Sequence, residues 1–101
     1  DMVIDKEIDM EWSRIPHFYT PFYVYQYATG ISAASAFAKD ILENGPEAAE
    51  NYKNKFLKGG CSKYPVDLLA DAGVDMRTKV PVQKALETFK FVLQELKALL
   101  K

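Results

Sequence analysis

From Ile15 to Ala38 this chain carries no formal charge, while His17, Phe18, Tyr19, Phe22, Tyr23, Tyr25 and Tyr27 crowd into its first half. A stretch of this kind has two homes, a lipid bilayer or the inside of a protein. A bilayer span needs about 20 mostly apolar residues, with tyrosines gathered at its two ends. Here Pro16, Thr20, Pro21, Gln26, Thr29, Ser32 and Ser35 dilute the run, and tyrosines occur throughout it. The expectation is burial in protein, with no membrane partner.

Local signals predict that the stretch is a helix. Thr20 suits an N-cap and Pro21 the first helical position, where a missing N–H costs nothing. Asn44-Gly45 supplies the stop. That gives about 23 residues, or roughly 34 Å at 1.5 Å per residue. At about 100° per residue from Phe22, Tyr25 falls near -60°, Tyr23 and Tyr27 near 100° and 140°, and Ile31 and Val24 near 180° and 200°. Rings and aliphatics therefore wrap the whole circumference. A helix apolar on all sides belongs in the interior of a large protein. The small residues of "TGISAASAFA" let neighbours approach closely. The remaining helices are too short to surround such a rod, so it is expected to need partners from outside the chain. Asp1, standing where an initiator methionine would, points likewise to a piece of a longer protein.

The rest of the chain reads as helical. Pro46 opens a second helix, with Ala48, Ala49, Tyr52 and Phe56 at helical spacing and Gly59-Gly60 as its end. A short third helix runs from Pro65 to Ala72 and closes at Gly73. In the fourth, Val82, Ala85, Leu86, Phe89, Val92, Leu93, Leu96, Leu99 and Leu100 trace one apolar stripe, and Lys97 and Lys101 complement the helix dipole. Only residues 1–14 alternate with a period of two, through Met2, Ile4, Ile8, Met10 and Trp12, which predicts a short extended segment. The fold class is all-α: a four-helix segment over residues 1–101, with no repeats and no linkers.

Charge and cysteine content narrow the function. A net charge of -1 gives no basic surface for nucleic acid. The acidic N-terminus "DMVIDKEIDMEW" lacks the apolar core of a signal peptide. Cys61 has no second cysteine to pair with, which fits a reducing, cytoplasmic setting. No second histidine is available to build H-E-x-x-H, so this chain holds no metal site of that type. What remains is four phenols and one imidazole within eleven residues, His17 to Tyr27. For any one of them, core packing is the ordinary role. Together they are a set of donors able to stabilise an oxyanion.

The run "WSRIPHFYTPFYVYQYATG" resembles the C-terminal part of the oligoendopeptidase F family, within the thimet-oligopeptidase-like zinc metallopeptidases. The resemblance continues through "GGCSKYPVDLLADAGVDM" to "FKFVLQELKALLK". It implies a mostly helical parent that hydrolyses short peptides, with zinc held by an H-E-x-x-H helix and a glutamate upstream of Asp1. No zinc ligand would lie in this segment, and the segment alone would be inactive. The resemblance makes His17 the histidine that bonds the substrate backbone and Tyr25 the tyrosine that stabilises the oxyanion. Tyr19 and Tyr23 would line the same wall and bind substrate. The family's thimet-type branch has a tyrosine where this chain has Phe22, so either Tyr19 takes that task or a donor is lost.

Two other readings stay open at this point. One is a self-contained helical interaction module. The other is a small-ligand pocket lined by the tyrosines. The partners implied by the leading reading are short peptides and the missing N-terminal part of the same polypeptide. Without that part, Tyr23, Tyr27 and Ile31 would promote self-association.

Overall fold

Helix stop and start signals sit close together in this chain, and they divide it much as their chemistry requires. A computed structural model describes residues 2–100; the expectations placed on Asp1 and Lys101 lie outside them. Among the described residues four α-helices occur: α1 (Tyr25–Asn44), α2 (Pro46–Asn51), α3 (Pro65–Asp71) and α4 (Val80–Leu99). They contain no strand, so the class is all-α.

The extended N-terminal segment is a correction. Lys6–Arg14 forms 3-10 turns instead. Ile8 N–H donates to Asp5 C=O at 3.2 Å and Ile15 N–H to Trp12 C=O at 3.1 Å. A lone strand would leave its backbone groups without partners, and no second strand is present among the described residues to receive them. Three-residue bonds satisfy them locally.

The start of α1 is a second correction. Thr20 does not cap it; the helix begins at Tyr25, with Val24 in helical geometry before it and no side-chain cap. Tyr23 N–H donates to Thr20 C=O at 3.3 Å, closing a turn over Thr20–Tyr23. Phe22 occupies the third position of that turn with φ +62°, where a β-carbon is disfavoured and glycine is usual. A left-handed residue cannot continue a right-handed helix, so α1 restarts beyond it.

The helical rod does not stop with α2 at Asn51. The rod runs on through a π-helical stretch, Tyr52–Phe56, and a 3-10 turn, Leu57–Gly59. Widening the turn stacks the Tyr52 and Phe56 rings at 5.6 Å, and both lie against Phe37 of α1, at 4.9 and 5.2 Å. Phe37, with Ala33, Ala36, Leu69, Ala72 and Val74, makes the core, and Tyr52, Phe56 and Met76 cover its edge. The small residues of α1 are thus a packing face, as their size suggests. Gly59 sits where a β-carbon would collide with the Leu68 side chain, so α3 can approach closely there.

α3 ends in two bonds that satisfy its last carbonyls. Gly73 N–H donates to Ala70 C=O at 3.0 Å, and Val74 N–H reaches Leu69 C=O at 2.8 Å. This is a Schellman motif, with Gly73 at φ +98° and Val74 packed on Leu69. Asn51 Nδ2 donates to Ala72 C=O at 3.0 Å and ties α2 to the same corner.

The loop into α4 is held by Asp75. Its carboxylate accepts from the Arg77 backbone N–H at 3.0 Å and from Arg77 Nε at 2.8 Å. These bonds hold the Asp75 carboxyl below its ordinary aspartate value. A depressed pKa means that the contribution is complete above the ordinary range and lost as pH falls through the folded value. Asp75→Asn should therefore lower the urea midpoint of the chain at neutral pH and leave it unchanged in acid. Equal differences at both pH values would show that the carboxylate charge plays no part.

These helices do not close around one another. The radius of gyration is 17.7 Å, with extents of 49 × 41 × 21 Å, where a compact chain of this length has about 13 Å. The accessible surface of 8539 Å² is about half as much again as a folded monomer of this mass exposes. No large side chain is fully buried among the described residues. α1 stays open on more than one side, at Tyr25 and at Tyr27 and Ile31, as expected of a rod with too few neighbours. α4 leans on α1 only at its start, through buried Pro81 and a 3.9 Å approach of Lys39 to Glu87.

Candidate functional site

The imidazole and the phenols occupy three short pieces of backbone that lead into α1. Pro16 fixes the first of them, the 3-10 turn Pro16–Tyr19 that carries His17. The turn around Phe22 follows, and then the first turn of α1. The direction change at Phe22 folds the His17 turn back onto α1. His17 lies 5.2 Å from the Tyr23 ring and 6.1 Å, edge-on, from the Tyr27 ring, with Tyr23 and Tyr27 5.9 Å apart. Such spacings are those of favourable aromatic pairs. The Tyr27 phenol titrates above its ordinary value, chiefly through its pairing with the Tyr23 phenol and then through partial desolvation.

Tyr25 stands apart from this trio. Its ring pairs with Phe22 at 6.4 Å. Its phenol has no hydrogen-bond partner among the described residues, and the side chain is 70% exposed. Tyr19 is different again. Its O–H donates to the Ser13 carbonyl at 2.6 Å, so its proton is already engaged. The structure therefore brings His17, Tyr23 and Tyr27 together, leaves Tyr25 free beside Phe22, and ties Tyr19 back to the preceding segment. Tyr27, grouped with the other phenols by sequence, is the member of the cluster to which the family resemblance assigned no role. Its four-residue spacing from Tyr23 was the available signal.

The backbone at this end of α1 offers little to an anion. Gln26 N–H and Tyr27 N–H are bonded to the Tyr23 and Val24 carbonyls, each at 3.2 Å. Recognition here would rest on side chains. The open apolar groove of about 470 Å³ along α1 is lined by Gln26, Gly30, Ala33, Phe37, Tyr52 and Phe56, among others. The N-terminal tyrosines do not line it, so a tyrosine-walled ligand pocket is not what this groove provides. Among the described residues no three histidine, cysteine or carboxylate side chains gather closely enough to hold a metal ion. The donors present do not fit a zinc centre. No described helix is long and apolar enough to cross a membrane.

Comparison with known proteins finds relatives that match nearly the whole chain. The chain is 54% identical over 98% of its length to a Bacillus subtilis protein named Oligopeptidase PepF. It is 53% identical over 92% of its length to an Oligoendopeptidase F homolog of Borreliella burgdorferi. A crystal structure from Chlamydophila abortus, described as a candidate peptidase, superposes on 97% of the chain with a TM-score of 0.78 and 47% identity. The chain spans about 15% of the first relative, 16% of the second and 16% of the crystallised chain. The family model described as Peptidase family M3 matches residues 1–88. The chain belongs to peptidase family M3.

Proposed function

We propose that this chain is the C-terminal part of a zinc-dependent oligoendopeptidase that hydrolyses short peptides. In that reading it supplies the substrate-side wall of the cleft, and the remainder of the polypeptide holds the metal. Tyr25 carries the reading: an exposed phenol with a free proton, at the first residue of α1.

Each side chain has a task suited to its geometry. Tyr25 O–H donates to the oxygen that gains charge as the peptide carbonyl is attacked; a preorganised donor of that kind is worth about 3 kcal/mol. Its ring is set by Phe22, which offers no donor of its own. His17 bonds the substrate backbone while Tyr23 and Tyr27 hold its ring between them. Tyr19 braces the Pro16–Tyr19 turn against Ser13, which makes it a support for the wall. The donor missing at Phe22 is then not replaced. Cys61, free and exposed, accords with work in the cytoplasm.

The test is metal removal. The full-length polypeptide should hydrolyse short peptides, lose that activity on treatment with phenanthroline and regain it with added zinc. The 101-residue chain alone should show none, with or without zinc. Activity that survives the chelator, or zinc-dependent turnover by the isolated chain, would overturn the reading. Resemblance along nearly the whole chain to about one-seventh of each relative weighs against a self-contained interaction module.

A further inference from the structure

α4 ends as a free arm. Beyond Ala85 every described residue of α4 is exposed, up to Leu100, a length of about 22 Å at 1.5 Å per residue. Its apolar residues are nevertheless ordered. Val82, Leu86, Phe89, Leu93, Leu96 and Leu100 alternate at spacings of four and three, the pattern of a helix that seats against a second helix. In this structure they are between 37% and 77% exposed, so nothing described covers the seam.

The edges of the seam differ. At about 100° per residue, Lys90 and Lys97 lie along one edge, and Val92 and Leu99 widen the apolar stripe on the other. No carboxylate sits on the lysine edge. This asymmetry bears on what can dock. In an antiparallel pair of two copies, Lys90 and Lys97 would face the same lysines of the other copy. In a parallel pair they would meet Val92 and Leu99, which offer no counter-charge. A second copy is therefore a poor occupant.

We propose that the α4 arm seats a helix from the rest of the same polypeptide, one with its own apolar seam and with carboxylates along the edge facing Lys90 and Lys97. This rests on the reading of the chain as part of a longer protein. The chain spans only about 15% of the relatives it matches, so the remaining length has room for such a helix. Charge complementarity then sets its register and direction, since like charges on that edge repel and opposite charges pair.

Photo-crosslinking in the full-length polypeptide tests this. Phe89→p-benzoylphenylalanine and, in a second variant, Leu96→p-benzoylphenylalanine should each give an intrachain crosslink. Mass spectrometry should place both on one helical segment with Asp or Glu flanking an apolar seam. The probe at Phe91, exposed on the opposite side of α4, should give at least several-fold less of that product. Crosslinks to a second copy would overturn the proposal. So would a target segment without acidic flanks, or no crosslink from either seam position. Peptidase activity is not the readout, so a parent without zinc chemistry would leave this result interpretable.

Discussion

Tyr25→Phe in the full-length polypeptide should lower kcat by about 10²–10³-fold, some 2.7–4 kcal/mol, and leave KM nearly unchanged. The substitution deletes one oxygen and keeps the ring that packs on Phe22 at 6.4 Å, so the wall keeps its shape. The phenol is exposed and has no partner among the described residues, so no buried acceptor there is stranded by its loss. The cost should fall on the step in which the oxyanion forms, because an interaction made only in the transition state acts on kcat. Tyr19→Phe is the control. Its proton goes to the Ser13 carbonyl, so removing it should loosen the Pro16–Tyr19 turn and change kcat by far less. A Tyr25→Phe enzyme with kcat within about twofold of the parent, well under the loss of a single oxyanion donor, would remove Tyr25 from the chemistry. A larger loss in Tyr19→Phe would move the role there.

Phe37→Ala should cost the 101-residue chain about 3–5 kcal/mol. Phe37 is the one ring buried in the core, and it touches both Tyr52 and Phe56. Truncating it removes the contact that joins α1 to the π-helical stretch, and neighbouring Ala33 and Ala36 are too small to fill the space. The small core provides little reserve against such a loss. Helical circular dichroism should fall at 25 °C, or the urea midpoint should collapse. Phe91→Ala, on an exposed face of α4, should stay within about 0.5 kcal/mol of the parent chain. Equal effects at Phe37 and Phe91 would mean that the described core does not hold the helices together.

Much of the helical layout is legible residue by residue. Asn44-Gly45-Pro46, Pro65 and Gly73 mark helix ends through their own dihedral preferences, which act within a few residues and need no tertiary context. The apolar circumference of α1 likewise announces absent neighbours. Phe22 is the counterexample. A phenylalanine at φ +62° runs against its local preference, so Thr20-Pro21 looked like a helix start. Residues 2–14 erred in the opposite direction: alternation suggested a strand, but a strand requires a partner, and none occurs among the described residues. The π-helical stretch has no sequence mark either, because stacking of Tyr52 and Phe56 on Phe37 selects it.

The candidate site divides along the same line. Residue types grouped His17 and the four tyrosines as donors, and the family resemblance singled out His17 and Tyr25. Their sorting into a His17–Tyr23–Tyr27 cluster, a free Tyr25 and an engaged Tyr19 came from the chain reversal at Phe22. Short-range dihedral and periodicity rules determined that this protein is helical, where most helices stop, and that α1 and α4 are built for company. Which side chains meet was decided by tertiary structure, because a contact between segments depends on a turn whose geometry no residue in it would choose alone.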